Sequence, residues 1–581
     1  MYVLNLFSSR IRRILLFMFA SFFAISLYLF HLQIAESARF GKLSVRNFLR
    51  KEKITSLRGN ITDKQGLLLA TNRPIYSLSW RGTGNKDLSA EQAEILNGLT
   101  KSQLFQPASV SSLIQDIVSA EKRSRKIKLA YDIAFEQLNN LAEQVPFGRN
   151  LIIDTTFERC YPFSDLSCHI VGYLGAAAGK MGLEYLYNEQ LQGQPGTILT
   201  ITNSVGQPLN VHVISQAAAG NSIQTTLDLS LQQIAEKIFP REFDGCMLLM
   251  DEDGGLEVVL SRPSFDPQLF TKSVSNNQWD MLQKNNPFIN RAFSACYPPA
   301  SLFKLVTLAA ALETNLITPQ STWECTGSTV FKGRHYRCNN EKGHGLVATR
   351  RAFAYSCNIP FYDIGKRISI DTLAHYAQLC GLGCKTGILF PEKQGLVPTS
   401  SWKIRTHKER WWPGETLSAV IGQSSLLVTP LQMACMINGV CTGYRVRPRI
   451  LLDEPLVHEP LALQPKTLQF LRECLYSVIK TGTGSSLKDL AGFNVWGKSG
   501  TAQVRSLSES TLKAHTPHGY FVAHFKYKND KGHTLVIFLE HAGSSRSAIR
   551  VALEFLIQYA QVIRQEKLGI SPESIDFISK I

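Results

Sequence analysis

Apolar residues run from Ile14 to Ile34 without a formal charge, and this 21-residue run is the chain's first feature. At 1.5 Å per residue it spans about 31 Å, the thickness of a bilayer core, so it predicts a membrane-spanning helix. Ala35 and Ala38 lack the spacing of a signal-peptide cleavage site, which favours a retained anchor after a short tail of residues 1–13, whose cytoplasmic placement rests on the chemistry described below. From 36 to about 225, short apolar runs alternate with Gly, Asn and Pro, as in Gly193-Gln194-Pro195-Gly196, and read as mixed strands and helices. From about 240 the texture changes. Cys246 to Met250 predicts a buried strand, with Leu256 to Leu260 as its hairpin partner. Leu302 to Leu316 predicts a buried helix. Tyr520 to Tyr527 and Thr534 to Leu539 predict a second hairpin around Asn529–Gly532, and Ala548 to Arg564 a last helix. Strands at both ends with helices between predict an α+β domain over 240–566 whose antiparallel sheet joins its termini.

A length of 581 residues allows two to four domains, and ordinary Gly and Pro counts exclude fibrous and low-complexity classes. The net charge of +16 raises the question of nucleic acid. The densest cationic cluster, Lys122 to Lys128, has no aromatics among its cations and reads as a solvated helix face instead. Arg39, Lys42, Arg46, Arg50 and Lys51 follow the apolar run closely, a placement that suits an anionic membrane surface. Twelve cysteines spread over so long a chain exclude a small disulfide scaffold.

Three short motifs carry candidate chemistry. Ser301-Leu302-Phe303-Lys304 follows Pro298-Pro299, which can lead into a helix but not sit inside one. Ser301 then lies near a helix start with Lys304 one turn later on the same face. The positive helix end and apolar neighbours should lower the lysine's proton affinity, so that it can take the serine proton. A helix cap with a surface lysine is the plain alternative. Ser356-Cys357-Asn358 follows a helical stretch and places a hydroxyl and an amide toward one cleft, or else forms an Asx turn. Lys498-Ser499-Gly500-Thr501 follows the strand-like Phe493–Trp496. Its hydroxyls and cation suit a peptide that adds as an extra strand and ends in a carboxylate, and Gly500 lets another backbone approach closely. A turn after the strand is its plain reading.

Together these motifs resemble those of the penicillin-binding transpeptidases and serine β-lactamases, S-x-x-K, S-x-N and K-[ST]-G. The resemblance extends along the chain. Arg58-Gly59-Asn60-Ile61-Thr62-Asp63, and Gly182-Leu183-Glu184 with Leu191-Gln192-Gly193, are similar to the entry and exit of the dimerisation-type pedestal domain in class B penicillin-binding proteins. Ser261-Arg262-Pro263, Tyr297-Pro298-Pro299 and Thr429-Pro430-Leu431-Gln432 are similar to transpeptidase-domain motifs. Gly343-His344-Gly345 and Cys357 resemble the cell-elongation members of that class. Two departures stand out: Ala300 and Ser424 occupy positions where the family usually has Gly.

The resemblance implies a penicillin-binding/serine β-lactamase-like fold after an extended pedestal over 36–225. It implies a peptidoglycan D,D-transpeptidase of cell elongation, inhibited by β-lactams and needing no cofactor for catalysis. Ser301 would form the acyl-enzyme with a D-alanyl-D-alanine stem peptide, with Lys304 as general base and Ser356 and Lys498 relaying a proton. Asn358 would hold the substrate amide, and Ser499, Gly500 and Thr501 would line its carboxylate end. Backbone amides of Ser301 and Thr501 would form the oxyanion hole. Implied partners are a membrane glycosyltransferase and the cell-shape complex, at the inner membrane with the catalytic domain in the periplasm. A division-type transpeptidase and a β-lactam-binding sensor are the competing readings.

Cys325, Cys338, His344 and Cys357 fall within 33 residues around the second motif. Three thiolates and an imidazole are a tetrahedral zinc set, with Cys357 facing away from the cleft to brace the motif from behind. A Cys325–Cys338 disulfide is the alternative, and Cys160 and Cys168 are a second candidate pair.

Overall fold

The computed structural model of the chain describes residues 2–102, 104–105, 110–145, 147–148, 150–175, 178–203, 208–272, 274–503 and 516–567. By contacts the chain divides into two interleaved units: residues 1–58, 73–158 and 192–220 in one, and 59–72, 159–191 and 221–581 in the other.

The first unit starts with a helix, Tyr2–Phe30, and the stretch Ile11–Ala35 is long and apolar enough to cross a membrane. Further along, Gly196–Thr202 is the middle strand of a three-stranded antiparallel sheet between Leu49–Ile54 and Pro208–Ser215. A separate small core gathers Leu78, Trp80, Ile95, Leu99 and Ile117. Ser89 and Gln92 form a reciprocal capping box that starts helix Ala90–Lys101. The cationic cluster is not a helix face. Helix Val110–Lys122 ends at its first member, Ser124 turns at φ +49°, and a strand begins at Lys126.

The second unit is built on a five-stranded antiparallel sheet. Its strands are β1 (Gly245–Asp251), β2 (Leu256–Arg262), β3 (Phe493–Ala502), β4 (His518–Tyr527) and β5 (Gly532–Leu539), in spatial order β2-β1-β5-β4-β3. β1 pairs β5 with Leu248 opposite Val536, so the sheet joins the two ends of this region, as the hydrophobic pattern predicts. Side chains alternate between faces with period two. Cys246, Leu248 and Met250 enter one core, and Met247 and Leu249 the other. Both faces are covered, which is why β1 reads as an unbroken apolar run rather than an alternating one. Helix Arg546–Lys567 lies over the second core, while α1 (Lys304–Glu313) runs through the first. Thr429 and Gln432 form a capping box with Pro430 at the first helical turn, which accounts for Thr429–Gln432 as the start of helix Pro430–Thr442.

The segments similar to pedestal entry and exit motifs belong partly to this second unit. Asp63 accepts hydrogen bonds from the amides of Gln65 and Leu67, and buried Glu184 pairs with Arg159 at 2.6 Å. Among the described residues no disulfide forms: Cys160 and Cys168 are not bridged to each other, and the Cys168 thiol contacts His169.

Candidate active site

The chain enters the site through strain. Ala300 stands at φ +50°, its amide bonded to the Gly422 carbonyl at 2.9 Å. The family glycine at this position is explained by that φ, which only glycine adopts without cost; Ser424, the second departure, stands at φ +72°. Gly422 itself has no such freedom: a side chain there would meet the Ala300 carbonyl oxygen at 1.9 Å. Ala300–Leu302 is a single 3₁₀ turn running into α1. Three residues per turn bring positions i and i+3 into line, so Ser301 and Lys304 share a face.

Ser301 is half-buried on the wall of a cleft of about 710 Å³, together with Ser356, Asn358, Thr483, Ser499 and Thr501. Lys304 lies beneath it, completely buried, which removes the surface-lysine alternative. Its Nζ donates to the Ser356 carbonyl (2.7 Å), Asn358 Oδ1 (2.7 Å) and Ser356 Oγ (3.2 Å). Burial pulls its pKa down to about 7, against a smaller upward pull from the sulfurs of Cys357 and Cys338. Lys498 is equally buried. It donates to Ser356 Oγ at 3.1 Å and to the Ser499 carbonyl at 2.9 Å, and burial, with Lys304 nearby, holds it well below the usual lysine range. One hydroxyl, on a residue held at φ +55°, is therefore shared by two amines of depressed basicity. Backbone strain of this kind is tolerated where the surroundings over-determine it.

Lys498 to Thr501 lies inside β3, paired with Val522 to Gly519, and not in a turn after it. β3 is the sheet's edge strand, so its outer backbone groups face the cleft. At Gly500 a side chain would meet nothing of the chain nearer than 3.5 Å, an ordinary contact, so no packed neighbour requires the glycine. Asn358 begins helix Ile359–Arg367 but makes no side-chain cap; its Nδ2 donates to the Arg337 carbonyl at 3.0 Å. Thr483 was not singled out in the sequence. Its Oγ1 lies 2.7 Å from Ser499 Oγ, on a turn where a side chain at Gly482 would strike the Ala354 carbonyl at 2.2 Å. The Thr481-Gly482-Thr483-Gly484 run after helix Pro465–Lys480 was the available signal. The rings of Phe361 and Phe353 sit under Lys304 and Lys498 at 5.2 and 5.6 Å, contacts that sequence spacing does not encode.

Behind the second motif, Cys325, Cys338, His344 and Cys357 converge, with all four ligand atoms within 4.8 Å of one another. Cys338 Sγ lies 3.7 Å from Cys357 Sγ and 3.5 Å from His344 Nδ1, and Cys325 Sγ lies 3.6 Å from the same nitrogen. A tetrahedral ion with metal–sulfur and metal–nitrogen bonds of about 2.3 and 2.1 Å has ligand–ligand edges of about 3.6–3.8 Å, which these three separations match, while the widest separation in the cluster stays within 4.8 Å. The Cys338–Cys357 contact lowers the Cys338 thiol and raises that of Cys357, and the Asn358 amide points at the Cys338 sulfur (3.4 Å), so the pair favours one thiolate, on Cys338.

A mixed pedestal region, a buried two-sided sheet and a serine beside two buried lysines define a serine acyl-transferase architecture. The chain belongs to the penicillin-binding protein family: the model of its transpeptidase domain matches residues 245–556, and that of its dimerisation domain matches 53–225. The peptidoglycan D,D-transpeptidase MrdA of Salmonella typhimurium is 28% identical over 565 residues, covering 89% of this chain and 90% of that protein. Penicillin-binding protein 2 of Helicobacter pylori, solved in complex with MreC, superposes with a TM-score of 0.74 at 27% identity, over 89% of this chain and 99% of that one. A chain from a peptidoglycan synthase complex that coordinates polymerization and crosslinking matches with the same TM-score and identity, over 95% and 98%.

Proposed function

We propose that the protein is a peptidoglycan D,D-transpeptidase of cell elongation in which Ser301 carries the acyl group. One observation bears most of the weight: Ser356 Oγ lies within 3.2 Å of both Lys304 Nζ and Lys498 Nζ on the floor of the cleft that Ser301 lines. Lys304, neutral part of the time near pH 7, takes the Ser301 proton as the hydroxyl attacks the carbonyl of the penultimate D-alanine. Ser356, touched by both amines, passes a proton to the departing D-alanine. The donor peptide extends along the β3 edge, its carboxylate toward Thr483, Ser499 and Thr501 and its amide toward Asn358. Backbone amides of Ser301 and Thr501 steady the oxyanion. The curated relative and the structural neighbours support the elongation assignment. By the same resemblance the partners are a membrane glycosyltransferase and the cell-shape complex, with the N-terminal helix anchoring the chain in the inner membrane and the catalytic region in the periplasm.

Ser301→Ala should abolish covalent labelling by a fluorescent penicillin with the melting temperature unchanged; undiminished labelling overturns the assignment.

Cys325, Cys338, His344 and Cys357 are proposed to hold a structural zinc ion, supported by the convergence of three sulfurs and an imidazole within 4.8 Å of one another. Zinc there would tie the base of the second motif in place and take no part in acyl transfer. Elemental analysis should give one zinc per chain. A metal-free protein with a mapped Cys325–Cys338 bridge contradicts this.

A further inference from the structure

The nucleophile is carried on a short, stiff arm. From Tyr297 the chain runs through Pro298 and Pro299 to Ala300 and Ser301. Each proline ring fixes its own φ at about −65° and confines the residue before it to extended backbone. Pro299 stands at φ −70° and ψ −13°, and Ala300 follows in its left-handed turn at φ +50°. Few soft torsions remain between Tyr297 and Ser301, so whatever holds Tyr297 also aims Ser301.

Tyr297 is held in three ways. Its amide donates to the Val428 carbonyl and its carbonyl accepts from the Val428 amide, both at 2.9 Å. Its ring lies 4.1 Å from that of Phe538 on β5 and 5.6 Å from that of His518 at the start of β4. Its hydroxyl donates to Glu540 Oε1 at 2.5 Å, a charge-assisted bond at the short end of its range. Burial and the Glu540 carboxylate push the hydroxyl's pKa up, so it keeps its proton and remains the donor. The same carboxylate oxygen accepts from Arg291 Nε at 2.8 Å, and Arg291 reaches Asp244 at 3.4 Å. Arg291 is buried, with its amide bonded to Ser261 Oγ on β2 at 3.0 Å. Glu540 directly follows β5, and its amide donates to the Asp244 carbonyl, just before β1, at 2.8 Å. The Tyr297 hydroxyl is thereby tied to three strands of the central sheet.

Packing alone would be met by phenylalanine, since ring and backbone contacts already place the residue. The hydroxyl bond adds a fixed depth of the ring against the sheet, and so a fixed height of the arm above the cleft floor. A small shift of that arm leaves the donor peptide's contacts along β3 and at Asn358 untouched. It changes the distance from Ser301 Oγ to the carbonyl under attack, to which the rate is steeply sensitive. We infer that Tyr297 and Glu540 are positioning residues for Ser301, their bond setting the reach of the nucleophile without contributing to donor binding. The inference rests on the acyl-enzyme reading above and adds to it two residues that act through the arm and not on the substrate.

The test separates binding from attack. Acylation of the full-length protein by a fluorescent penicillin, followed over a range of concentrations, gives the dissociation constant of the first complex and the first-order rate of attack. Tyr297→Phe should lower the rate of attack about tenfold, given that a full ångström of misplacement costs about a hundredfold, with the dissociation constant unchanged to within about twofold. The loss should be the same on both sides of pH 7, where Lys304 titrates, because the base is untouched. Tyr527→Phe is the comparison: it removes a hydroxyl bonded to Arg564 Nε at 3.0 Å in the core on the sheet's other face, and should change neither constant. Glu540→Leu breaks the Tyr297 bond from its other end, and the Tyr297→Phe/Glu540→Leu double variant should lose no more than the larger single loss. Where Glu540→Leu does not fold, Tyr297→Phe decides alone. An unchanged rate of attack in Tyr297→Phe, a loss confined to the dissociation constant, an equal loss in Tyr527→Phe, or single losses that multiply in the double variant overturns the positioning role. A parent protein that no penicillin acylates removes the acyl-enzyme reading itself, and the positioning role with it.

Discussion

Two regions of the catalytic unit bury lysines and arrive at opposite chemistry. At the cleft floor, Lys304 and Lys498 are fully enclosed, and their partners are hydroxyl, amide and carbonyl oxygens. Burial dominates there and pulls both amines down, Lys304 to about 7. Elsewhere, Lys64 is also largely enclosed, but the carboxylates of Glu257 (2.8 Å) and Asp228 (2.9 Å) lie against its amine. Burial pulls Lys64 down as well, and the two carboxylates more than reverse it, so its pKa is raised. Glu257 shows the other side of the same balance. Burial would raise it, but His533 and Lys64 hold it down at about 2. The lesson is that enclosure alone does not make a base. Enclosure without an anion does, and it costs folding energy that an ion cluster would not.

Exchanging what each lysine contributes tests this contrast. The largest effect should come from Lys304→Met, which removes the base: penicillin acylation should fall about a thousandfold, while thermal unfolding shows a stability equal to or above the parent's because an enclosed amine is gone. An acylation rate within tenfold of the parent would assign the base elsewhere. Glu257→Gln, at the other lysine, should do the reverse. It leaves Lys64 and His533 without their shared carboxylate and should lower stability by about 2–3 kcal/mol in urea unfolding, with acylation within twofold. The depressed Glu257 pKa also fixes a sign. Its contribution is complete above the ordinary carboxylate value of 4.5 and is lost as pH falls toward 2, so parent and variant should converge in stability across that window. The smallest effect should be that of Ala300→Gly, which relieves a left-handed alanine beside the nucleophile and should stabilise by less than about 1 kcal/mol, since the freer unfolded chain offsets part of the gain. A destabilised variant would mean that the alanine methyl packs more than it strains.

How far this was legible in sequence depended on how local each signal is. The two hairpins of the sheet follow from apolar runs broken by Asp251–Gly255 and Asn529–Gly532, and helix Arg546–Lys567 from its periodicity, all carried by neighbouring residues. The three motifs announced Ser301, Lys304, Ser356 and Lys498, and the Cys–His spacing announced the cluster behind them. The φ angles of Ala300 and Ser424 were foreshadowed only as departures from a family glycine. Long-range packing was not legible. Nothing in Thr481–Gly484 says that Thr483 meets Ser499, and nothing near Glu184 says that its buried partner is Arg159. The cationic run at Lys122–Lys128 misled because a helix ends and a strand begins within it, joined by three residues that turn through a left-handed Ser124.

The pH dependence of acylation most directly tests whether an unpaired, enclosed Lys304 is the base. With a fluorescent penicillin at subsaturating concentration, the rate should climb about tenfold per pH unit below 7 and level off above it, following the deprotonation of one group near pH 7. A rate that is flat from pH 5.5 to 8.5, or that climbs only near the ordinary lysine value of 10.5, would contradict the account.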